Sequence, residues 1–235
     1  MQFLAQIPLG LKLREGVTFG NFLAGDNGEA VKFLSQYTGR PSTQAVFIWG
    51  DKGVGKTHLL QAACHNVAIT GKSTAYIPLT MADEFSSAYL EEMENMSLVC
   101  IDDVDMIAGQ SDWEYALFHL YNRIHACNGH LIIAGNASPG HLGIKLRDLS
   151  SRLGWGWVFH MEQLTDEQKL ELLKQRTAER GMHLPDEVAQ YMLRHCPRDT
   201  HTLFSLIDHL DDASLTEKRR LTIPFVKSIL GAGIE

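Results

Sequence analysis

Gly50-Asp51-Lys52-Gly53-Val54-Gly55-Lys56-Thr57 matches the pattern G-x-x-x-x-G-K-[ST] at every fixed position. The stretch follows an apolar run at residues 45–49 and opens a helical pattern, which is the context that a phosphate-binding loop (P-loop) requires. Its glycines let backbone N–H groups turn toward a β-phosphate, Lys56 supplies positive charge to the β- and γ-phosphates, and the Thr57 hydroxyl can bind Mg²⁺. The loop, with His58 in the following helical turn, therefore predicts a nucleotide-binding site.

Around the loop, apolar segments alternate with segments of helical periodicity. The predicted strands are residues 45–49, 74–79, 98–101, 131–134 and 157–160, and the predicted helices are 56–69, 82–94, 112–127 and 145–153. Strands that are apolar on both faces and alternate with helices are typical of a parallel sheet covered on both sides. The sequence therefore predicts an α/β fold for this part of the chain.

After Glu162 the pattern contains helices only. Thr165-Asp166-Glu167-Gln168 is a capping box that begins a helix ending at Gly181, and Pro185 begins a second helix, closed by Pro197. A third helix covers residues 199–214, and a fourth opens at residues 222–224. The predicted domains are a flexible tail at 1–16, an α/β domain at 17–162 and a small all-helical lid domain at 163–235.

Composition excludes several classes of protein. The 235 residues are 45% hydrophobic and carry a net charge of −7, which opposes tight, non-specific binding to DNA phosphates. The sequence contains no apolar run long enough to span a membrane, and its first residues do not resemble a signal peptide. Its four cysteines are far apart and form no CxxC motif, so we expect no zinc site and reduced thiols in a cytoplasmic protein.

Two carboxylates follow the predicted strand at residues 98–101, about 45 residues after Lys56. Ligands of open α/β sheets bind at the carboxyl ends of the strands, so both side chains should face the phosphate site. We expect Asp102 to hold Mg²⁺ and Asp103 to orient or deprotonate an attacking water. Asp105 is interpreted as a solvated turn residue.

The phosphate-binding loop alone also suits a small-molecule kinase, but three further segments favour another family. Residues 149–157, LSSRLGWGW, resemble the "SRFGWG" segment of the bacterial replication initiator DnaA, an AAA+ protein. Residues 18–22 with 25–27 resemble that family's "TF-x-x-F-x-x-G-x-x-N" segment, and Asn136 follows the fourth strand, where AAA+ proteins place a polar sensor for the γ-phosphate. The resemblance spans residues 17–230. It implies an AAA+ parallel sheet with a helical lid that binds ADP or ATP with Mg²⁺, with Phe19 and Phe22 near the base.

Two absences narrow the resemblance within the DnaA-type family. The sequence lacks the initiator's C-terminal helix-turn-helix, and residues 80–96 are short and acidic where the initiator has basic helical sequence. The chain thus resembles truncated DnaA homologues that act as regulatory inactivators of DnaA. The resemblance implies a nucleotide-bound protein that works on the DNA polymerase sliding clamp. There it promotes hydrolysis of ATP on DnaA and so represses re-initiation of replication. We expect it to be near the nucleoid through the clamp, and to self-associate through the AAA+ face.

The same resemblance assigns roles to individual residues. Arg152 would be an arginine finger acting on the nucleotide of the neighbouring DnaA, with a surface ion pair to Asp148 as the alternative. Gln6, Leu9 and Leu11 would bind the sliding clamp. His201 stands where initiators carry the lid's sensor arginine, so intrinsic ATPase activity should be weak unless Arg198 compensates. The alternative function is an AAA+ initiator or helicase loader that acts directly on DNA.

Overall fold

The computed structural model describes residues 13, 16–39, 44–196, 200–217 and 221–231, and within them five parallel strands form one sheet. The strands are β1 (Val46–Trp49), β2 (Thr74–Pro78), β3 (Leu98–Asp102), β4 (His130–Gly135) and β5 (Trp157–His160). Their order in the sheet is β2-β3-β4-β1-β5. In β1, Val46 is paired with Ile132 of β4 on one side and with Trp157 of β5 on the other. The loop after β1 therefore starts from the interior of the sheet.

Four helices cover the two faces of this sheet: α1 (Gly28–Tyr37), α2 (Lys56–Ala68), α3 (Ser111–Ala126) and α4 (Arg147–Leu153). Because side chains alternate along a strand, Val46 and Ile48 pack in the apolar layer of α1 and α2, whereas Phe47 packs in the layer of α3 and α4. The prediction of a parallel sheet covered on both sides is confirmed.

The structure differs from the prediction at two elements, one of which was predicted wrongly and one of which was missed. The predicted helix at 82–94 is wrong, because the chain there forms short 3-10 turns, including Ser87–Leu90 and Met93–Asn95. Glu92 adopts a left-handed backbone with φ 65°, and Phe85 packs edge-on against Trp113 of α3, so tertiary packing overrides the local pattern. Helix α1 was not predicted, although its buried residues lie at helical spacing: Ala30, Leu34 and Tyr37.

The residues from Gln163 onward form a second compact unit made of helices. Its elements are α5 (Asp166–Glu179), α6 (Asp186–His195), α7 (Thr200–Glu217) and α8 (Ile223–Gly231), packed around an apolar core of their own. The predicted capping box is present. The Gln168 N–H donates to the Thr165 hydroxyl at 3.2 Å, and the Thr165 N–H donates to the Gln168 side chain at 2.9 Å. In the described part of the chain, no helix combines the length and apolarity that a membrane span needs.

A buried carboxylate on α3 fixes two loops of the first unit. Glu114 is 2% exposed and accepts hydrogen bonds from the backbone N–H groups of Gly109 at 2.6 Å, Lys145 at 3.1 Å and Leu146 at 2.7 Å. Leu146 is the residue that caps α4. The residues that lead into α4 are therefore bound by a side chain of α3. Loss of the Glu114 carboxylate would leave three backbone N–H groups without this acceptor.

We expect Glu114→Ala to lower the free energy of unfolding of the first unit by about 3 kcal/mol, since buried donors without acceptors are costly. Urea unfolding followed by tryptophan fluorescence measures this, because all four tryptophans lie before residue 163. Asp112→Ala, on the same helix and exposed, is the control and should cost less than about 1 kcal/mol. Equal effects of the two substitutions would contradict the anchoring role of Glu114.

Candidate functional site

The phosphate-binding loop connects β1 to α2 through a backbone that requires glycine. Gly53 and Gly55 have φ of 88° and 99°, in the left-handed region that other residues avoid. A Cβ atom on Gly50 would lie 2.5 Å from the Met161 carbonyl oxygen, and one on Gly55 would lie 2.5 Å from the Phe22 ring. Within the loop, Asp51 and Lys52 are exposed, Val54 is buried, and Thr57 is half-buried in the first turn of α2. Neighbouring segments on both sides thus fix the path of the loop.

The ammonium group of Lys56 lies inside this loop. The residue is 6% exposed, and Nζ donates hydrogen bonds to the Gly50 carbonyl at 2.7 Å, to the Asp51 carbonyl at 3.0 Å and to Asn136 Oδ1 at 3.0 Å. Burial lowers the pKa of Lys56, while the nearby carboxylates, Asp103 foremost, act to raise it. All three hydrogen-bond partners are neutral oxygens, so the positive charge stays available to an anion.

Asp102 ends β3 and is 1% exposed. Its Oδ2 accepts a hydrogen bond from the Tyr76 hydroxyl at 2.8 Å, and its Oδ1 accepts one from the Asp103 N–H at 3.1 Å. Burial and the Asp102 charge together raise the pKa of Tyr76 far above its usual range, so the phenol remains a donor. Two donors therefore orient the carboxylate, and each oxygen retains a lone pair for a further ligand.

Asp103 turns the chain at the end of β3. It has φ 54° and ψ 49°, and the one-turn 3-10 helix Val104–Ile107 follows. Burial, followed by repulsion from Asp102 and Asp105, raises the pKa of Asp103 to about 6, although Lys56 and Lys52 oppose the rise. The charges of Asp102 and Asp105 therefore reach Asp103, although no three side chains of the described residues are grouped closely enough to hold a metal ion by themselves.

Asn136 follows β4 and contacts both sides of the site. Its Oδ1 accepts from Lys56, its backbone N–H donates to Asp105 Oδ1 at 2.9 Å, and its Nδ2 donates to Asp105 Oδ2 at 2.7 Å. The interpretation of Asp105 as a solvated turn residue is wrong, because the residue is half-buried and bound twice to Asn136. Asn136 lies 31 residues further along the chain, so no local pattern around Asp105 indicates this contact.

A strap of residues 18–22 lies against the phosphate-binding loop. Thr18 and Asn21 form a capping box, the Thr18 carbonyl lies 2.9 Å from His58 Nε2, and the Phe22 and His58 rings are 5.2 Å apart. Phe22 also lies against Gly55, and both Phe19 and Phe22 pack against the apolar layer of α1 and α2. The structure therefore brings Phe22 and His58 together beside the loop.

Asn27 completes this side of the α/β unit. Its side chain is 5% exposed, donates to the Glu162 carbonyl at 3.0 Å and accepts from the Glu162 N–H at 2.7 Å. The segment that resembles the initiator motif thus binds the backbone just after β5. The amide oxygen and one amide N–H of this asparagine are thus used within the unit, where they join residue 27 to the chain after β5.

Arg152 lies in the last turn of α4, and its guanidinium is 5.0 Å from the centre of the Trp155 ring. The side chain is half-buried, whereas Trp155 is 55% exposed. Burial raises the pKa of the neighbouring Tyr121, and the Arg152 charge opposes that rise. Among the described residues, no ion pair joins Arg152 to Asp148 or to any other carboxylate. The guanidinium therefore lies beside an aromatic ring, and within the described part of the chain it has no carboxylate as an ion-pair partner.

Two family models match the chain. The model of the bacterial DnaA ATPase domain matches residues 13–160, and the model of the Hda lid domain matches residues 166–230. The chain belongs to the DnaA-type AAA+ family. Its second unit is an Hda-type lid.

Individual relatives of this DnaA-type AAA+ protein agree with that assignment. A Haemophilus influenzae protein of uncharacterised function is 42% identical over 226 residues, which are 96% of this chain and 98% of the relative. Domain III of Thermotoga maritima DnaA superimposes with a TM-score of 0.81 at 23% identity, covering 95% of this chain and 99% of that one. AMPPCP-bound Aquifex aeolicus DnaA superimposes with a TM-score of 0.72 at 25% identity, covering 84% of this chain and 66% of that one. The predicted AAA+ fold with a helical lid is confirmed.

Some of the predicted site residues of this DnaA-type AAA+ protein lie outside the described residues. Gln6, Leu9 and Leu11, the predicted clamp-binding residues, are among them, as is Arg198. His201 lies on α7, but its side chain is outside the described part of the chain. The residues brought together in the first unit are those of the phosphate-binding loop, β3, β4 and the strap.

Proposed function

We propose that this chain binds an adenine nucleotide, ADP or ATP, at the phosphate-binding loop and acts as a regulator of DnaA. The observation that carries the first part is the Lys56 ammonium, desolvated and held by three neutral oxygens inside a glycine loop at a helix N-terminus. Backbone N–H groups and the helix dipole at such a terminus favour a phosphate. The AMPPCP bound to the Aquifex aeolicus relative supports the same assignment.

Mg²⁺ fits the oxygen ligands at the end of β3. Mg²⁺ is usually bound through one or two carboxylates plus substrate phosphates, rather than by a cage of protein ligands. The described residues accordingly contain no cluster of three metal-binding side chains, but they place the oriented Asp102 carboxylate in a crowded acidic corner. Asp102 and the Thr57 hydroxyl would hold the ion, which would neutralise phosphate charge. Asp103 would orient or deprotonate an attacking water.

Lys56→Ala should weaken ADP binding by about 10–100-fold, the loss expected for charge-assisted hydrogen bonds to a phosphate. Titration of the purified protein with a fluorescent ADP measures the change. Lys72→Ala removes an exposed lysine of the same unit and should leave the affinity unchanged. Wild-type protein that binds ADP no better than Lys56→Ala would contradict nucleotide binding at this loop.

The action on DnaA rests on the family and on Arg152. An arginine on an AAA+ edge can reach the γ-phosphate held by the adjoining subunit and stabilise charge in the transition state. In this chain the guanidinium has no carboxylate partner among the described residues, and the Trp155 ring holds it in place. We propose that it acts on ATP bound to DnaA, with the sliding clamp as the platform.

Substitution of Arg152 by Ala should abolish stimulation of ATP hydrolysis on DnaA, because an arginine finger contributes on the order of 10³–10⁵ in rate. The assay follows labelled ATP on DnaA in the presence of clamp-loaded DNA, and hydrolysis should fall to the rate of DnaA alone. Arg147→Ala, an exposed arginine on the same helix, is the control and should stimulate as the wild type does. Full stimulation by Arg152→Ala would rule out the finger.

Clamp binding is proposed from the sequence of residues 6–11, which resembles clamp-binding peptides in which a glutamine is hydrogen-bonded and leucines fill an apolar pocket. Pro8 and Gly10 disfavour helix, as suits an extended peptide in a groove.

Deletion of residues 1–12 should abolish pull-down by the clamp while nucleotide binding is retained. The double substitution of Leu9 and Leu11 by Ala should have the same effect, because it empties the pocket contacts, and Lys12→Ala is the control. Undiminished pull-down of the deletion variant would refute this assignment.

A further inference from the structure

Asp105 makes two hydrogen bonds to one residue of the phosphate site. Its carboxylate accepts the backbone N–H of Asn136 at 2.9 Å and the side-chain Nδ2 at 2.7 Å. The turn that carries Asp105 begins at Asp103, whose left-handed backbone redirects the chain after β3 toward the end of β4. This carboxylate therefore fixes both the backbone and the side chain of Asn136.

The chemistry of the partners sets the orientation of the Asn136 amide. A carboxylate can only accept hydrogen bonds, and a lysine ammonium can only donate them. Asp105 on one side and Lys56 on the other therefore require Nδ2 to face the carboxylate and Oδ1 to face the ammonium, at 3.0 Å. The opposite amide orientation would place two donors against each other at Lys56 and two acceptors against each other at Asp105.

We propose that Asp105 is a positioning residue, which orients Asn136 so that its amide oxygen holds the Lys56 ammonium in the phosphate-binding loop. The inference rests on the proposed nucleotide binding and adds a residue to it. Asn136 then acts on a bound phosphate mainly through Lys56, as an acceptor for the lysine. One of its side-chain N–H groups and its backbone N–H are taken by Asp105.

The direction in which a substitution of Asp105 changes the ADP affinity distinguishes a positioning role from a purely electrostatic one. An acid near a phosphate site repels the phosphate, so its removal should tighten nucleotide binding if charge were its only effect. Positioning predicts the reverse. In Asp105→Asn the new amide can no longer accept both N–H groups, and Asn136 loses the constraint that directs its oxygen to Lys56. ADP binding should become about tenfold weaker, the scale of one charge-assisted hydrogen bond.

A conservative variant provides the rescue. Asp105→Glu keeps the charge and a carboxylate that can accept both N–H groups of Asn136. It leaves the Asn136 amide oxygen, a neutral acceptor, facing Lys56. Asp112→Asn, which removes an exposed acid of α3, is the control for the loss of one charge.

The experiment measures the dissociation constant of a fluorescent ADP for the full chain and these three variants, with thermal unfolding as a check on folding. We expect Asp105→Asn to bind about tenfold more weakly, and Asp105→Glu and Asp112→Asn to bind within about threefold of the wild type.

Equal or tighter binding by Asp105→Asn overturns the proposal, as does binding by Asp105→Glu that is as weak as that of Asp105→Asn. If Asp105→Asn does not fold, Asp105→Ser, which likewise removes the charge and the second acceptor oxygen, takes its place: weaker binding supports the proposal, and equal or tighter binding overturns it. A wild-type protein that binds no ADP would instead refute the proposed nucleotide binding on which this inference rests.

Discussion

The buried ammonium of Lys56 is the constraint on which the site depends. A lysine that is 6% exposed has lost most of its hydration, and the loop compensates with the carbonyls of Gly50 and Asp51 and the amide oxygen of Asn136. These oxygens come together only if the chain turns sharply after β1 and if β4 ends next to that turn. The glycines of the loop and the central position of β1 in the sheet meet these two requirements.

The three carboxylates at the end of β3 lie near this lysine, but each has different partners. Asp102 is buried and oriented by Tyr76, and Asp105 binds Asn136. Burial raises the pKa of Asp103, and the Lys56 charge opposes that rise. Residues that are near neighbours in sequence thus face different partners, because a left-handed residue and a 3-10 turn rotate the chain between them. The local backbone, more than the number of carboxylates, gives each acid its environment.

The strands and the phosphate-binding loop could be predicted from the sequence because their signals are local. Apolar runs bounded by glycine or acids mark strands, and the loop pattern itself contains the glycines and the lysine that the site needs. The signals that failed depend on tertiary contacts. The segment at 82–94 is bound to α3 through Phe85 and Trp113, and Asp105 obtains its role from Asn136, which is 31 residues away along the chain. No pattern within either segment indicates these partners.

One carboxylate joins two loops of the first unit. Glu114 binds Gly109, which follows the turn that carries Asp105, and it also binds Lys145 and Leu146, which lead into the helix of Arg152. The two loops therefore cannot move apart without breaking hydrogen bonds to one buried side chain, so a shift of either loop would strain the other.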